Sequence, residues 1–236
     1  MFLSTSRVYP YTYVGSATLR EEATRFAYHD SLPGISRHGV AVDCPLQGAR
    51  SLYGATKLAA EYVLQEYALN YNVPAIIDRC GVIAGPWQFG KADQGVFSFW
   101  LASHFYKRPL RYIGFGGKGK QVRDLLHVDD LVGLLGKQLA ALPGFRGDVF
   151  NVGGGTAVSL SLCEATEICR AVTGNGVEVT SVLERRPGDL CWYITDNGKT
   201  CETFGWQPSK SAREILVDIH EWLRSDNGQV ARVLNA

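Results

Sequence analysis

A tyrosine and a lysine four positions apart are the residues best suited to chemistry in this sequence. They are Tyr53 and Lys57, in the stretch SLYGATK at residues 51–57. On a helix this spacing places both side chains on one face, a turn apart. An ammonium held near a phenol favours the phenolate and lowers the tyrosine pKa, so the tyrosine can exchange a proton with a substrate hydroxyl. The same spacing also occurs by chance on solvated helices, so the pair needs support from its surroundings.

A hydroxyl cluster near the start of the chain supplies that support. The sequence FLSTS, residues 2–6, is typical of the end of a buried strand that runs into a loop, and it carries Thr5. A tyrosine, a lysine and a hydroxyl at the ends of a helix and a strand make a proton-transfer set. We therefore expect Thr5, Tyr53 and Lys57 to be the catalytic residues.

The elements around this set predict a parallel α/β sheet. Apolar residues recur at helical spacing from Ser51 to Tyr71, and VPAIIDRCGVIAG at 73–85 is typical of a buried strand. A helix followed by a buried strand is half of a βαβ unit. The preceding segment, 14–48, predicts a long loop with one short helix near Leu19–Phe26.

The second half of the chain predicts further alternation of helices and strands. We expect strands at Val122–Leu126, 147–155 and 177–184, and helices at 95–107, 129–142, 159–174, 195–206 and 211–225. His127 and Asp129 are expected to cap the helix that follows them rather than to take part in chemistry.

Composition excludes several classes of protein. Charged residues make up 20% of the 236 residues and the formal net charge is +1, which argues against nucleic-acid or anionic-membrane partners. The six cysteines show no metal-ligand spacing and predict reduced thiols and no metal site. No apolar run reaches the roughly 18 residues of a membrane span, and the first residues lack the basic leader of a signal peptide. We expect a cytoplasmic protein.

Several motifs in order along the chain resemble one enzyme family. They are STSRVY, YGATK, RCGVIAGP, GKQVRDLLHVDDL, FNVGGG and RRPGD, between residue 4 and residue 189. Together they resemble the extended short-chain dehydrogenase/reductase family of NAD-dependent nucleotide-sugar epimerases and dehydratases. DQGV at 93–96 and the GKQVRD motif are most similar to the branch of CDP-tyvelose (CDP-paratose) 2-epimerases. The resemblance implies an incomplete Rossmann-like, doubly wound parallel sheet at 1–153, formed mainly by 1–85 and 112–153, and a smaller α/β substrate-binding part at 154–236 with 86–111.

The resemblance also implies roles for the catalytic set. Thr5 would bind the substrate hydroxyl, and Tyr53 would act as the acid and base. Lys57 would bind the nicotinamide ribose of NAD and lower the pKa of Tyr53. Tyr53 and Cys80 would lie against the cofactor. In such enzymes a sugar carbon loses a hydride to NAD+ while the tyrosine takes the hydroxyl proton, and the hydride then returns to the other face of the ketone.

Three further residues would bind the nucleotide part of the substrate. The resemblance implies that Arg123 and Arg186 clamp its diphosphate and that Asp189 lies near its ribose. Arginine suits this role because its fork of donors matches the oxygens of a diphosphate. An ordinary ion pair of these arginines with Asp124 or Asp189 is the alternative.

The sequence departs from the family pattern at two places. In the dehydratases an acidic pair follows the STS hydroxyl and drives water elimination, but this chain has Ser6 and Arg7 there. We therefore reject dehydration. The strand RCGVIAGP has Val82 where an asparagine usually contacts the substrate phosphate. The identity of the sugar is left open.

The glycine-rich GxxGxxG turn that binds the cofactor pyrophosphate is absent from the sequence. With about 30 residues in each strand–helix unit, roughly 100 residues of the family fold would precede Met1. We therefore expect an apolar strand edge and helix faces left uncovered. A truncated or misassigned gene product, a half of a split enzyme that binds an N-terminal partner chain, and an inactive remnant are the three explanations considered.

The expected function is NAD-dependent epimerisation of a nucleotide-sugar through a transient ketone. The alternatives are a half-domain that binds a nucleotide-sugar or a partner chain without redox chemistry, and an NAD(P)-dependent reductase of the same family. A homodimer is a further possibility for the assembly.

Overall fold

The fold is mixed α/β, and its structure here is a computed structural model that describes residues 1–91, 94–226 and 229–234. Asp93 of the DQGV motif lies outside the described residues. The strands are β1 Phe2–Thr5, β2 Leu19–Glu21, β3 Phe26–Tyr28, β4 Ile35–Ser36, β5 Gly39–Val40, β6 Ala75–Cys80, β7 Val82–Ala84, β8 Leu110–Ile113, β9 Val122–His127, β10 Arg146–Val152, β11 Ser159–Ser161, β12 Val179–Val182 and β13 Trp192–Tyr193. The helices are α1 Tyr11–Val14, α2 Leu52–Asn70, α3 Val96–Phe105, α4 Val128–Ala141, α5 Leu162–Thr173, α6 Gly198–Phe204, α7 Ala212–Ser225 and α8 Gln229–Leu234.

A parallel sheet of three strands, in the order β1-β6-β10, carries Thr5 and Cys80 at the ends of two of its strands. Strand β6 is central and buried at every residue, including the charged Asp78 and Arg79. Its register places Thr5 opposite Cys80, so β1 and β6 end side by side. Helix α2 packs on β1, β6 and β10, and α4 packs against β7 and β9.

Strand β9 organises the second sheet. It pairs in parallel with β7 and β13 and antiparallel with β11. Beside it, β8 and β12 form a parallel pair. Helices α3, α5 and α7 pack on one another around an apolar core that includes Trp100, Leu101 and Ile219.

Two predictions about these elements were wrong. The expected helix near Leu19–Phe26 is an antiparallel hairpin of β2 and β3, stabilised by hydrogen bonds from Arg25 to Glu164 and Ser159. The single strand expected at 73–85 breaks at Gly81, because β6 belongs to the first sheet and β7 pairs with β9.

Other predictions were confirmed. Helix α2 starts and ends within one residue of the predicted bounds, and the Ser51 side chain caps it by accepting a hydrogen bond from Gly54 N at 3.1 Å. His127 caps α4 as expected, accepting from Asp129 N at 3.1 Å. All six cysteines are free thiols.

The edge of β1 and one face of α2 are exposed. Within the described residues β1 pairs only with β6. Leu3 on this strand is 42% exposed, and α2 exposes a row of apolar side chains, namely Leu52, Tyr53, Tyr62, Val63, Tyr67 and Leu69. None of the described helices combines the length and apolar character needed to cross a membrane.

Candidate functional site

A cleft of about 770 Å³ opens at the carboxyl ends of β1 and β6 and continues along β9. The ends of parallel strands are where open α/β sheets bind ligands. The predicted site residues that line it are Thr5, Tyr53, Cys80, Arg123, Arg186 and Asp189. Among the predicted set only Lys57 does not line it.

Thr5 and Tyr53 come together because the loop after β1 packs against the first turn of α2. The Thr5 side chain is buried and accepts a hydrogen bond from Arg7 N at 3.2 Å. A Cβ atom at Gly54 would lie 2.1 Å from the Arg7 carbonyl oxygen, so only glycine permits this approach. Tyr53 is 54% exposed, and its hydroxyl has no hydrogen-bond partner among the described residues. It is accessible to a substrate.

Lys57 lies on the β1 side of α2. Its ammonium donates a hydrogen bond to the Leu3 carbonyl oxygen at 2.8 Å and lies 4.7 Å from the centre of the Phe2 ring. The lysine therefore holds the helix against the strand that ends at Thr5. The sequence predicts that Lys57 and Tyr53 lie on the same face of the helix. In the structure the contacts of the Lys57 ammonium are with Leu3 and Phe2 of β1.

Cys80 ends β6 beside Thr5 and is buried in the floor of the cleft. Burial raises the pKa of its thiol to about 12, with the nearby Lys57 acting in the opposite direction. A neutral thiol contributes a small apolar surface there and no nucleophile.

Arg123 and Asp189 form an ion pair in the wall of the cleft. The guanidinium donates to Asp189 Oδ1 at 2.8 Å and to the Leu190 carbonyl at 2.6 Å. Burial lowers the pKa of Arg123, although Asp189 opposes this effect. The ion pair between Arg123 and Asp189, which the sequence analysis gave as the alternative, is therefore present. It fixes the Arg123 guanidinium at the surface of the cleft.

The cleft carries an excess of positive charge. Arg186 lines it as predicted, and so do Arg7 and Arg111. Among the described residues that line the cleft, these and Arg123 make four arginines against the carboxylate of Asp189. Such a surface favours an anionic ligand. Sequence analysis assigned no binding role to Arg7, which lies in the STSRVY motif and was considered only as a replacement of an acidic residue, or to Arg111, which lies outside the motifs.

Beneath the cleft lies a buried polar network that the sequence did not predict. Glu61 of α2 accepts hydrogen bonds from Arg79 of β6, at 2.8 Å from its Nη2 atom, and from the Ser4 hydroxyl. Arg79 also donates to the Tyr9 hydroxyl, which in turn donates to Asn151 on β10 at 2.7 Å. The network therefore fixes α2 and all three strands of the first sheet relative to one another.

Within the described residues no group of His, Cys, Asp and Glu side chains is arranged to hold a metal ion.

A family model described as "NAD dependent epimerase/dehydratase family" matches residues 1–153. Among curated relatives, CDP-paratose 2-epimerase of Salmonella typhi is 29% identical over 177 residues, covering 74% of this chain and 52% of that protein. UDP-glucose 4-epimerase of Corynebacterium glutamicum is 27% identical, covering 76% of this chain and 56% of that protein. The chain spans about half the length of the curated relatives it matches.

Solved structures share the fold. A Thermotoga maritima UDP-glucose 4-epimerase with UDP-glucose is 27% identical, with a TM-score of 0.62 and coverage of 73% of this chain and 53% of that one. A Bacillus cereus UDP-glucuronic acid 4-epimerase, in complex with UDP-glucuronic acid and NAD, has a TM-score of 0.71 at 22% identity and covers 94% of this chain and 60% of that one. The chain belongs to the NAD-dependent epimerase/dehydratase family.

Proposed function

We propose that this chain supplies the catalytic tyrosine and the substrate cleft for NAD-dependent epimerisation of a nucleotide-sugar. The observation that carries the proposal is the single cleft lined by Thr5, Tyr53, Arg123 and Arg186. A proton-transfer pair and an arginine-lined anion site thus face one cavity, as a sugar linked to a diphosphate requires. The epimerases among the relatives support the same reaction.

Each of these residues has a separate role in the proposed reaction. Arg123 and Arg186 hold the diphosphate by charge-assisted hydrogen bonds. Thr5 hydrogen-bonds the sugar hydroxyl, and the Tyr53 hydroxyl takes its proton during oxidation and returns it during reduction. The sugar ketone presents its opposite face before it is reduced again, which inverts the carbon.

The residues at the end of the first sheet fit the nicotinamide end of NAD. Tyr53 and Cys80 border the cleft there, and Lys57 lies on the adjoining face of α2. A bound NAD would supply the acceptor for a hydride from the sugar carbon and the donor for its return. Tyr53, Lys57 and Cys80 would hold it.

Dehydration fits the cleft less well. Ser6 and Arg7 line the position after Thr5, so no carboxylate stands there to drive the loss of water. Arg7 adds positive charge instead, which suits an anionic substrate.

A second candidate is a half-domain that binds a nucleotide-sugar and acts with a partner chain. The open edge of β1 and the exposed apolar face of α2 favour it, since such surfaces are usually covered. The partner is an N-terminal chain that pairs with β1 or, along α2, a second copy of this chain.

The test compares Tyr53→Phe with Tyr62→Phe, which removes a hydroxyl of similar exposure two turns along the same helix. Proton NMR would follow a series of nucleotide-sugars incubated with NAD+ and the chain, alone and with an added N-terminal half of a relative. We expect inversion at one sugar carbon without net NADH. Tyr53→Phe should reduce the rate by roughly two to four orders of magnitude, and Tyr62→Phe should leave it unchanged.

Three results would redirect the proposal. Equal rates for the two variants would remove Tyr53 from catalysis. Stoichiometric consumption of NADH would identify a reductase. Binding of a nucleotide-sugar without turnover under either condition would favour the non-catalytic half-domain.

A further inference from the structure

Arg7 is a cation of the cleft that no carboxylate of the described residues neutralises. It lies in a 3-10 turn, Ser6–Val8, directly after β1, and it lines the cleft. Its guanidinium has neither a hydrogen-bond nor an ion-pair partner among the described residues. Arg123 in the same cleft, by contrast, is paired with Asp189 at 2.8 Å. The charge of Arg7 is therefore available to a ligand.

The main chain of Arg7 is fixed beside the two hydroxyls proposed for the reaction. Its N–H donates to Thr5 Oγ1 at 3.2 Å. Its carbonyl oxygen lies so close to the first turn of α2 that a Cβ atom at Gly54 would be 2.1 Å away. Gly54 follows Tyr53 directly, so Arg7 is held between the strand end that carries Thr5 and the helix turn that carries Tyr53. A substituent of a sugar bound by these hydroxyls would be within reach of the guanidinium.

The start of α2 adds positive potential at the same place. The helix has 19 residues, and its first turn contains no acidic residue. The first N–H groups of a helix lack partners within the helix and give its N-terminus a partial positive charge. Arg7 and the start of α2 thus favour an anion at one point of the cleft, beside Tyr53.

A diphosphate held at Arg123 does not account for the charge of Arg7. Burial lowers the pKa of Arg123, Asp189 opposes this effect, and the positive charge of Arg7 adds to it, so the two guanidinium groups repel each other. In a nucleotide-sugar the sugar lies on one side of the diphosphate. With the diphosphate at Arg123 and the reacting hydroxyl at Tyr53, the sugar ring passes Arg7. A second anion on that ring would therefore meet the unpaired cation.

We propose that Arg7 makes the cleft selective for a nucleotide-sugar whose sugar ring carries a carboxylate, that is, a hexuronate. The inference rests on the proposed function, since it assumes that the cleft binds a nucleotide-sugar. The fork of guanidinium donors matches the two oxygens of a carboxylate. A neutral hexose has only hydroxyl groups to offer there, and these form weaker hydrogen bonds with a cation.

The experiment measures binding of UDP-glucuronic acid and UDP-glucose to the chain by isothermal titration calorimetry. The two ligands share base and diphosphate, so the ratio of their affinities reports only on the carboxylate. We expect UDP-glucuronic acid to bind at least about tenfold more tightly, which corresponds to one charge-assisted hydrogen bond. Arg7→Met should bring the ratio close to one and leave UDP-glucose affinity within about threefold. Arg7→Lys should keep part of the preference, because the charge remains.

Arg111→Met is the matched control. Arg111 lines the cleft from β8, and its side chain also has no partner among the described residues. The variant therefore removes the same charge from the same cleft at a point away from Thr5. We expect it to leave the ratio of the two affinities unchanged. Loss of the ratio in Arg111→Met would mean that the potential of the whole cleft selects the carboxylate, which would overturn the specific role of Arg7.

The other outcomes separate this inference from the proposed function. Equal binding of the two ligands by the unaltered chain would overturn the role of Arg7 and leave the nucleotide-sugar site standing. An equal loss of both affinities in Arg7→Met would assign Arg7 to the diphosphate and overturn the inference in the same way. Failure of both ligands to bind would overturn the inference and the proposed function together. The comparison in the unaltered chain decides the matter even if a variant does not fold.

Discussion

Two arginine–carboxylate pairs differ in depth and in their surroundings. Arg79 and Glu61 lie beneath the cleft with side chains 5% and 1% exposed, whereas Arg123 and Asp189 lie in its wall with 18% and 27% exposed. Both pairs have the same 2.8 Å separation. The deeper pair is enclosed by Ser4, Tyr9 and the strands it joins, and the outer pair adjoins open space.

The difference in exposure indicates that the two arginine–carboxylate pairs have different roles. Burial of Arg79 by itself lowers its pKa, but the hydrogen bonds from its guanidinium to Glu61 outweigh this effect and the net pKa is raised. The guanidinium is therefore permanently charged and fully used within the protein. Arg123 keeps one side towards the cleft, so a bound anion can compete for it. We infer that the inner pair fixes geometry and the outer pair serves binding.

The largest effect is expected for Arg79→Met, measured as the free energy of unfolding in urea. Removing the cation leaves the Glu61 carboxylate buried without a partner, which should cost about 3–5 kcal/mol. The double variant Glu61→Leu with Arg79→Met should regain part of this loss, because no unpaired charge remains. A loss below about 1 kcal/mol for the single variant would contradict the role given to the inner pair.

Asp78 tests whether a buried carboxylate needs a cation. It is fully buried on β6, with Oδ1 accepting from Gln138 at 2.7 Å and Oδ2 unpartnered. Burial raises the pKa of Asp78 to about 6 from 3.8, against the opposing hydrogen bond from Gln138. Because the folded state holds the proton more tightly, stability is greatest below pH 3.8 and falls as the pH rises through about 6.

Asp78→Asn should therefore stabilise the chain at neutral pH by up to about 3 kcal/mol and give no gain below pH 4. Urea unfolding across this pH range would check it. Asp30→Asn, at an exposed carboxylate, is the control and should show no such trend. A destabilised Asp78→Asn at neutral pH would mean that the charged carboxylate is favourable in place.

Arg123→Met should have the smallest effect on stability. We expect a change in the free energy of unfolding of less than about 1 kcal/mol, because the outer pair is partly solvated. CDP affinity should fall about tenfold to a hundredfold, since a charge-assisted hydrogen bond to phosphate is lost. Arg20→Met, which removes an exposed pair with Glu22, is the control. Unchanged CDP affinity would assign Arg123 to structure alone.

The sequence was sufficient where local signals agreed. The apolar spacing from Ser51 to Tyr71 predicted α2, and the buried strand that follows it predicted a parallel sheet. The motifs placed Thr5, Tyr53 and the arginines, and all of these line one cleft.

Contacts between distant segments could not be predicted. The β2–β3 hairpin is held through Arg25 by Glu164, 139 residues away, so nothing near Leu19 distinguishes it from a helix. The chain changes sheet at Gly81, where an added Cβ would lie 2.8 Å from the hydroxyl of the distant Thr195.

The close approach at Gly54 has a consequence for how the chain tolerates mutation. In most helices alanine is about 1 kcal/mol better than glycine, so a survey of substitutions in α2 would be expected to favour Gly54→Ala. Here the added methyl group would meet the Arg7 carbonyl oxygen and push the start of α2 away from β1. A screen for activity would therefore mark Gly54 as intolerant of any side chain, although glycine has no side chain to contribute to a reaction.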